Sequence, residues 1–423
     1  MQRHESYKPS GVKWLGAVPS HWEILALRAV TQLKSDRNRP DLPVLSVYRE
    51  YGVIRKDSRD DNHNATSLDT STYKVVQPGD LVVNKMKAWQ GSMGVSAHEG
   101  IVSPAYITCS TKSERVLPGY LHYLLRSSSL IGVYNSLSYG VRVGQWDMHY
   151  EDFKQIPIPV PPSDEQDRVI TALDIKISEI EAAIAKKERL IELLNEQKGV
   201  LVNQAVSLGL NPKATIRESG VKWIGRVPSH WNVIRAKYLF REVDERSQTG
   251  SEELLSVSHM TGVTSRSEKT NIYMFMAEDY TGSKLCRPND LVFNIMWAWM
   301  GALGVSEKAG IVSPSYGVYR QLKAETFNNW YLENLLRSSA YVAEYNRRST
   351  GLHSSRLRLY SNMFFDMEIA VPPRDEQDEI ERQTKERVDQ ADAVIGATQR
   401  EIEKLVEFRA TLIDSYVTGK IRA

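Results

Sequence analysis

The sequence is poor in the features that mark secreted, membrane-bound or cysteine-clustered proteins. Only two cysteines occur in 423 residues, Cys109 and Cys286, so we expect neither a disulfide framework nor a cysteine metal site. No apolar run approaches the roughly 18–20 residues that a membrane helix needs, and the first residues lack the apolar core of a secretory signal. We therefore expect a cytoplasmic protein that makes no membrane contact.

Catalytic motifs are equally scarce. The sequence has no glycine-rich phosphate loop, no dinucleotide fingerprint, no His-x-x-x-His or Cys-x-x-Cys spacing and no Asn-Pro-Pro-aromatic signature of amino methyltransferases. Asp80 followed by Lys85 resembles a nuclease pattern, but Ile295 stands at the equivalent of Lys85 in the internal repeat described next, which favours a simple turn. The sequence thus predicts no catalytic residue, no metal site and no cofactor in this chain.

What the sequence does contain is an internal duplication. "SGVKWLGAVPSHW" (10–22) returns as "SGVKWIGRVPSHW" (219–231) with eleven of thirteen residues identical. "PGDLVVNKMKAWQGSMGVS" (78–96) returns as "PNDLVFNIMWAWMGALGVS" with twelve of nineteen identical, and "PPSDEQ" (161–166) returns as "PPRDEQ". Because the offset drifts only from 209 to 211, the two copies share one fold, and the long period indicates a duplicated domain rather than a solenoid.

Each copy consists of a block followed by a long helical segment. Strand-like runs such as "PVLSVY" and "DLVVN" lie between Gly, Pro and Asp turns, and "GYLHYLLRSSSLIGVY" has helical spacing, as is typical of a mixed α/β block. Both blocks carry a net charge of +4 and both helical segments a net charge of −3. The predicted boundaries are 1–162 for the first domain, 163–210 for a central helix, 211–373 for the second domain and 374–423 for a C-terminal helix.

The helical segments carry apolar residues at alternating spacings of three and four, which predicts a coiled-coil seam. The predicted seam residues are Ile170, Leu173, Ile177, Ile180, Ile184, Ile191, Leu194, Leu201, Val388, Ala391, Ile395, Ile402, Leu405 and Leu412. Antiparallel pairing of the two helices would remove both seams from water, although each helix could instead pack on its own block or pair with another molecule. The predicted fold class is therefore α+β: two similar mixed α/β domains joined by two long helices in an antiparallel coiled coil, with a pseudo-twofold internal repeat.

Two loops in each copy mix basic, aromatic and amide side chains and differ between the copies. Arg and Gln are the side chains that read guanine and adenine edges, and Lys holds phosphates. The predicted DNA-contacting residues are Lys85, Lys87, Trp89, Gln90, Arg142, Gln145, Trp146 and His149 in the first copy and Trp297, Trp299, His353, Ser354, Arg356 and Arg358 in the second. Trp89 and Trp299 are shared and so also fit a structural role, and Arg142, Arg356 and Arg358 also fit a solvated loop.

The whole chain resembles the specificity subunit of a type I restriction-modification enzyme. The resemblance rests on "PIPVPPSDEQ" and "IAVPPRDEQ", on the helix endings "LVNQAVSLGL" and "LIDSYVTGKI", and above all on the twofold order of block and helix.

The resemblance implies that each block is a target recognition domain that reads one half of a bipartite site in double-stranded DNA. It further implies that the coiled coil spaces the halves and docks two modification (methyltransferase) subunits. S-adenosylmethionine, ATP and Mg would then belong to those partners and to restriction/translocase subunits, leaving this chain without catalysis. Two other classes stay open on the residues alone: a coiled-coil protein-interaction scaffold, and a stand-alone nuclease or methyltransferase.

Overall fold

The structure is a computed structural model that describes residues 2–59, 66–67, 69–112, 114–140, 146–268, 279–351 and 357–423. The chain divides into two compact units, one formed by Met1–Glu188 with Thr398–Ala423 and the other by Arg189–Ala397. Each unit contains one mixed domain, here domain 1 or domain 2, together with part of both long helices. Among the described residues, no helix has the length and apolar character to cross a bilayer.

The core of each domain is a four-stranded antiparallel sheet with the same strand order in both copies. In domain 1 the order is Thr31–Lys34, Ile107–Thr111, Leu81–Val83, Met93–Val95. In domain 2 it is Phe240–Glu242, Gly317–Gln321, Leu291–Phe293, Leu303–Val305. The central strand of each sheet, which begins at Leu81 or Leu291, is buried along its whole length, as its unbroken apolar run predicts.

The other described strands pair two by two, all antiparallel. Domain 1 contains the pairs Tyr7–Pro9 with Ala17–Pro19, Glu23–Ala26 with Pro157–Val160, Leu45–Tyr48 with Gly52–Arg55, Lys74–Val76 with Gly100–Val102, and Ser138–Tyr139 with Asp147–Met148. Domain 2 contains the pairs Ile216–Glu218 with Arg226–Pro228, Asn232–Arg235 with Glu368–Val371, Leu255–Ser258 with Gly262–Ser265, and Lys284–Cys286 with Gly310–Val312.

The helical run after the sheet is two helices rather than one in each domain. Pro118–Leu125 and Ser128–Leu137 are separated because Ser127 adopts an extended backbone, and Asn329–Leu336 and Ser339–Arg348 are separated at Ser338 in the same way. The short helices are Leu27–Val30, Tyr150–Phe153 and Ser361–Phe365, and the 3₁₀ turns are Lys56–Ser58, Ala88–Gln90, Ala236–Tyr238, Arg266–Glu268 and Ala298–Met300.

The two long helices, Ser163–Leu208 and Arg374–Val417, run antiparallel within each unit. In the first unit Lys187 pairs with Glu401, and Glu181 with Arg409 at 3.2 Å. In the second unit Lys198 pairs with Asp392. The sequence order of these partners runs in opposite directions on the two helices, so the structure confirms the antiparallel coiled coil and the predicted fold class.

The apolar seam of the coiled coil lies between the helices. Every predicted seam residue is buried or half-buried, with Leu173, Ile180, Ile395 and Leu412 the most enclosed. The basic residues that interrupt the apolar pattern, Lys187, Lys198 and Arg409, are the ones that form the cross-helix ion pairs. Their long side chains cover the seam while their charges meet carboxylates at its edge.

Each domain core is completed by the end of a long helix that began after the other domain. The hydroxyl of Tyr120 donates to the carbonyls of Pro159 and Val417, both at 3.1 Å. The hydroxyl of Tyr331, 211 residues further on, donates to the carbonyl of Val206 at 3.1 Å. Both tyrosines are fully buried, so the helix end is part of the domain core in each unit.

The glutamine of the repeated "PPxDEQ" segment forms hydrogen bonds with backbone groups of the loop before the helix pair and of the proline that precedes the long helix. Gln166 accepts from the Leu117 amide at 2.7 Å and donates to the carbonyls of Pro161 and Arg115. Gln377 makes the equivalent contacts with Asn328, Pro372 and Thr326. Both side chains are buried, so each glutamine fastens the start of its long helix to the loop before the helix pair.

Candidate nucleic-acid interface

The first predicted loop of each domain has an identical frame. The chain makes a 3₁₀ turn over Ala88–Gln90 and leaves it through Gly91, whose φ is 84°. Domain 2 repeats the turn over Ala298–Met300, with Gly301 at φ 82°. A side chain at either glycine would be strained by the positive φ, and a Cβ atom on Gly91 would lie 3.0 Å from Ile131. The shared glycines are therefore required by the backbone.

The shared tryptophans belong to this frame. The indole N–H of Trp89 donates to the carbonyl of Met86 at 3.2 Å, and that of Trp299 donates to the carbonyl of Met296 at 3.1 Å. Each ring thus fastens its own loop, and both are half-buried. The geometry gives Trp89 and Trp299 a structural part in the loop whether or not they also touch a ligand.

The structure brings the two predicted loops of each domain together. The amide of Met148 donates to the carbonyl of Lys85 at 2.9 Å, and the amide of Leu359 donates to the carbonyl of Ile295 at 3.0 Å. We call residues 84–91 with 138–140 and 146–149 the loop surface of domain 1. The loop surface of domain 2 is residues 294–301 with 349–351 and 357–360. Two loops that lie far apart in the sequence thus form one surface in each domain.

The loop surface of domain 1 combines cations with aromatic rings. Lys85 lies 3.3 Å from a carboxylate oxygen of Asp147, whereas Lys87 is exposed and pairs with no carboxylate among the described residues. Trp146 packs edge-on against Trp89 with ring centroids 5.2 Å apart. The exposed ring of His149 stacks on Tyr139 at 4.7 Å.

The loop surface of domain 2 is more apolar at the same positions. Trp297, at the place of Lys87, is 48% exposed and stacks on Trp299 with centroids 6.1 Å apart. Arg358, at the place of Asp147, is exposed, and no carboxylate pairs with it in the part of the chain that the structure describes. Its backbone pairs with Thr350, which holds the second loop in the same hairpin as in domain 1.

Five of the predicted contact residues lie outside the described residues: Arg142, Gln145, His353, Ser354 and Arg356. The structure adds two exposed aromatic residues that the sequence analysis did not select, Tyr139 and Tyr360. A signal for them existed, because both fall in the segment where the copies diverge most.

The strand that leaves each first loop is anchored by different chemistry in the two domains. In domain 1 the Nε2 atom of His122 accepts from Arg126 at 2.7 Å, so its Nδ1–H donates to the carbonyl of Val95 at 3.2 Å. Burial, reinforced by Arg126, lowers the pKa of His122 to about 4. In domain 2 Glu333 stands in place of His122 and accepts from the Val305 amide at 2.9 Å and from Arg337 at 2.8 Å.

The loop surfaces offer the groups that nucleic-acid binding uses. Exposed Lys and Arg side chains can neutralise phosphates, and exposed rings can contact bases or sugars. Arg358 has the fork of donors that reads guanine, and Trp297 can pack on a thymine methyl. The positions that differ between the domains include exposed ones, Lys87/Trp297 and His149/Tyr360, while the tryptophan and glycine that build the first loop are shared.

The chain has the fold of the specificity subunits of type I restriction-modification systems. It superposes on the HsdS subunit from Thermoanaerobacter tengcongensis with a TM-score of 0.55, covering 96% of this chain and 98% of that one at 14% identity. A chain solved in a study of complex assembly and conformational transition of the type I restriction-modification system superposes with a TM-score of 0.65, covering 96% and 99% at 14% identity.

Two curated relatives from Methanocaldococcus jannaschii are named in the same way. The chain is 21% identical to the type I restriction enzyme MjaVIII specificity subunit over 83% of both chains. It is 20% identical to the putative type I restriction enzyme MjaX specificity subunit over 99% of this chain and 97% of that one. No protein-family model matches the chain.

Proposed function

We propose that this chain is the DNA sequence-specificity subunit of a type I restriction-modification system and performs no catalysis itself. The observation that carries the proposal is the division of each loop surface into a shared frame and differing exposed side chains. A protein that uses one scaffold twice to read two sequences needs that division. The full-length similarity to proteins named as specificity subunits supports it.

In this proposal each domain reads one half of a bipartite site in double-stranded DNA. Lys87 and His149 differ from their counterparts Trp297 and Tyr360, so the halves differ in sequence. Phosphate contacts by lysines would set the register, and the arginine and ring contacts would select bases. A net charge of only +4 per domain suits a subunit that shares the DNA with partners.

The coiled coil, in the same proposal, sets the distance between the half-sites and docks two modification subunits. Its outer faces support a docking role because they keep apolar side chains in water. Ile175 in the first unit and Leu193 and Val200 in the second are each 45–59% exposed. Methyl transfer with S-adenosylmethionine, and ATP- and Mg-dependent translocation with cleavage, would belong to the modification and restriction/translocase subunits in the cytoplasm.

The test is a map of methylated adenines in cells that express the chain with its modification subunits. Exchanging the variable residues of one loop, with Lys87→Trp and Gln90→Met, should alter one half of the methylated motif and leave the other half unchanged. The reciprocal exchange in domain 2, Trp297→Lys and Met300→Gln, is the matched control and should alter only the other half. An unchanged motif in both variants would contradict the assignment of the loop surfaces.

A second experiment tests the spacing role. Removing one heptad from each long helix should change the number of unread base pairs between the half-sites while both halves keep their sequence. A spacer that stays the same would refute this part of the proposal. If the purified chain alone methylated or cut DNA, the non-catalytic assignment would fail, and partner binding without sequence-dependent DNA protection would favour a protein scaffold.

A further inference from the structure

Three potential metal ligands from distant parts of the sequence meet at the start of the first long helix. The Nε2 atom of His21 lies 2.7 Å from Oε2 of Glu165, and the Nε2 atom of His4 lies 3.6 Å from Oε1 of the same carboxylate. One ligand atom from each of the three residues falls within 4.8 Å of the others. The loop surface of domain 1 uses none of these residues.

The imidazole of His4 is built into this site but has no partner at its Nε2 atom. Its side chain is only 4% exposed, and Nε2 makes no hydrogen bond among the described residues. The distance of 3.6 Å to Glu165 is too long for a hydrogen bond. Buried polar atoms without a partner are rare in native proteins and call for an ion, a water or another cause.

The ring of His4 also lies beside the backbone of Ile421. In metal-binding histidines a backbone partner at one ring nitrogen fixes the tautomer and directs the other nitrogen to the metal.

Domain 2 contains the same histidine–glutamate pair at the start of its long helix but has no second histidine beside it. His230 lies 2.7 Å from Oε2 of Glu376, as His21 does from Glu165. There Oε1 of Glu376 accepts from the indole of Trp231 at 3.1 Å, and the exposed Lys213 stands in place of His4. In domain 1 the buried indole N–H of Trp22 has no partner among the described residues, and Oε1 of Glu165 lies 3.6 Å from His4 instead.

We propose that His4, His21 and Glu165 form a divalent metal site of the zinc type in domain 1 that domain 2 does not repeat. Two imidazoles and one carboxylate are a common zinc ligand set, and bonds of about 2.1 Å in a tetrahedron place neighbouring ligand atoms about 3.4 Å apart. The two measured ligand distances, 2.7 and 3.6 Å, bracket that separation.

The fourth coordination position opens to solvent on the side of His21, whose side chain is 49% exposed. The ion ties the N-terminal arm to the first turn of the helix Ser163–Leu208. The proposal gives the ion no part in methyl transfer.

The experiment measures Zn²⁺ and Co²⁺ binding by the untagged full-length chain after chelation and dialysis. We expect one equivalent of Zn²⁺ by elemental analysis, and the visible absorption of a tetrahedral complex with Co²⁺. Hydrogen exchange of residues 2–9 should slow when Zn²⁺ is added. No bound metal, or exchange that Zn²⁺ does not change, would overturn the proposal.

The variants His4→Gln, His21→Ala and Glu165→Gln should each weaken Zn²⁺ binding by more than the roughly 10–100-fold that loss of a second-shell partner costs. His21 lies at the surface, so its variant keeps the fold even if the buried His4 tolerates no change. His230→Ala in domain 2 is the matched control and should bind one equivalent as before. Equal loss in the control, or full binding by His21→Ala, would place the metal elsewhere and refute the site.

Discussion

The two domains use one backbone to present different charges at the same place. In domain 1 Lys85 pairs with Asp147 across the two loops, whereas domain 2 has Ile295 and Arg358 at these positions, and Arg358 pairs with no carboxylate among the described residues. The hydrogen bond that joins the loops is the same in both domains. The comparison shows that the frame is independent of the side chains it presents, so the exposed positions can change without a cost in folding.

Where buried positions differ between the domains, the hydrogen bonds made there are kept. His122 and Glu333 are different residues, yet each forms a hydrogen bond with the backbone of the equivalent strand residue and each accepts from an arginine one turn later. A buried hydrogen bond has to be replaced by another, because an unsatisfied group costs about 1–3 kcal/mol. The exchange therefore preserves the bonds while it changes the chemistry that makes them.

The largest expected effect is the loss of stability of domain 1 alone when the end of the C-terminal helix is removed. Removing residues 410–423 takes the buried side chains of Leu412, Tyr416 and Val417 out of the core of domain 1. At about 1.5–3 kcal/mol each, the loss of roughly 4.5–9 kcal/mol rivals the whole stability of a domain. Hydrogen exchange should show that domain 1 unfolds and domain 2 stays protected. Removing only residues 422–423 is the control, and protection of domain 1 in the longer deletion would contradict the prediction.

A somewhat smaller effect should fall equally on both domains. Gln166→Ala removes three hydrogen bonds to backbone groups, one buried and two partly buried, which costs roughly 3–6 kcal/mol of unfolding free energy. Gln377→Ala removes the same three bonds in domain 2 and should cost the same within about 1 kcal/mol. Denaturant unfolding monitored by hydrogen exchange in each domain measures both values, and a clear difference would show that the two helix starts are not equivalent.

The stability of domain 1 should depend on pH through His122, a residue that domain 2 replaces with Glu333. Because the pKa of His122 is about 4 when folded and about 6.5 when unfolded, the unfolded state binds the extra proton between these values. The contribution of neutral His122 to the unfolding free energy of domain 1 is therefore fully present above pH 6.5. It declines by up to about 3 kcal/mol as the pH falls to 4. His122→Glu, which copies domain 2, should remove this part of the decline. Identical pH profiles for the variant and the parent chain would show that His122 is not the group responsible.

The smallest expected effect separates the two lysines of domain 1, if the loop surface binds DNA as proposed. Lys87→Ala should weaken DNA binding by the complex on every sequence, by roughly 1 kcal/mol, and lower the salt slope of log K by about 0.9. Lys85→Ala should change both less, because Asp147 already pairs with Lys85. Fluorescence anisotropy over a salt series measures the slopes, and the opposite ranking would count against Lys87 as a phosphate contact.

The sequence sufficed for the parts of the structure that repeat. The duplicated segments indicated two domains of one fold, and the three-and-four spacing predicted the paired helices because a coiled-coil seam is a local pattern. The polar residues within the seam also have a role: Lys187 and Lys198 interrupt the apolar pattern and form ion pairs across the two helices.

What the sequence could not show depends on contacts between distant residues. Nothing local indicates that the amide of Met148 meets the carbonyl of Lys85, or that Gln166 is a buried clamp rather than a polar residue of a helix start. The cluster of His4, His21 and Glu165 escaped a search for metal motifs because its last two members lie 144 residues apart. Such sites become visible only when the fold brings the ligands together.

The way the helix ends complete the cores has a consequence for biosynthesis. The second unit is one uninterrupted stretch, Arg189–Ala397, and can close on itself as soon as that stretch has emerged from the ribosome. The first unit joins Met1–Glu188 to Thr398–Ala423. Although domain 1 is made first, Tyr120 has to wait for Val417, so the earlier domain is the later one to complete its core.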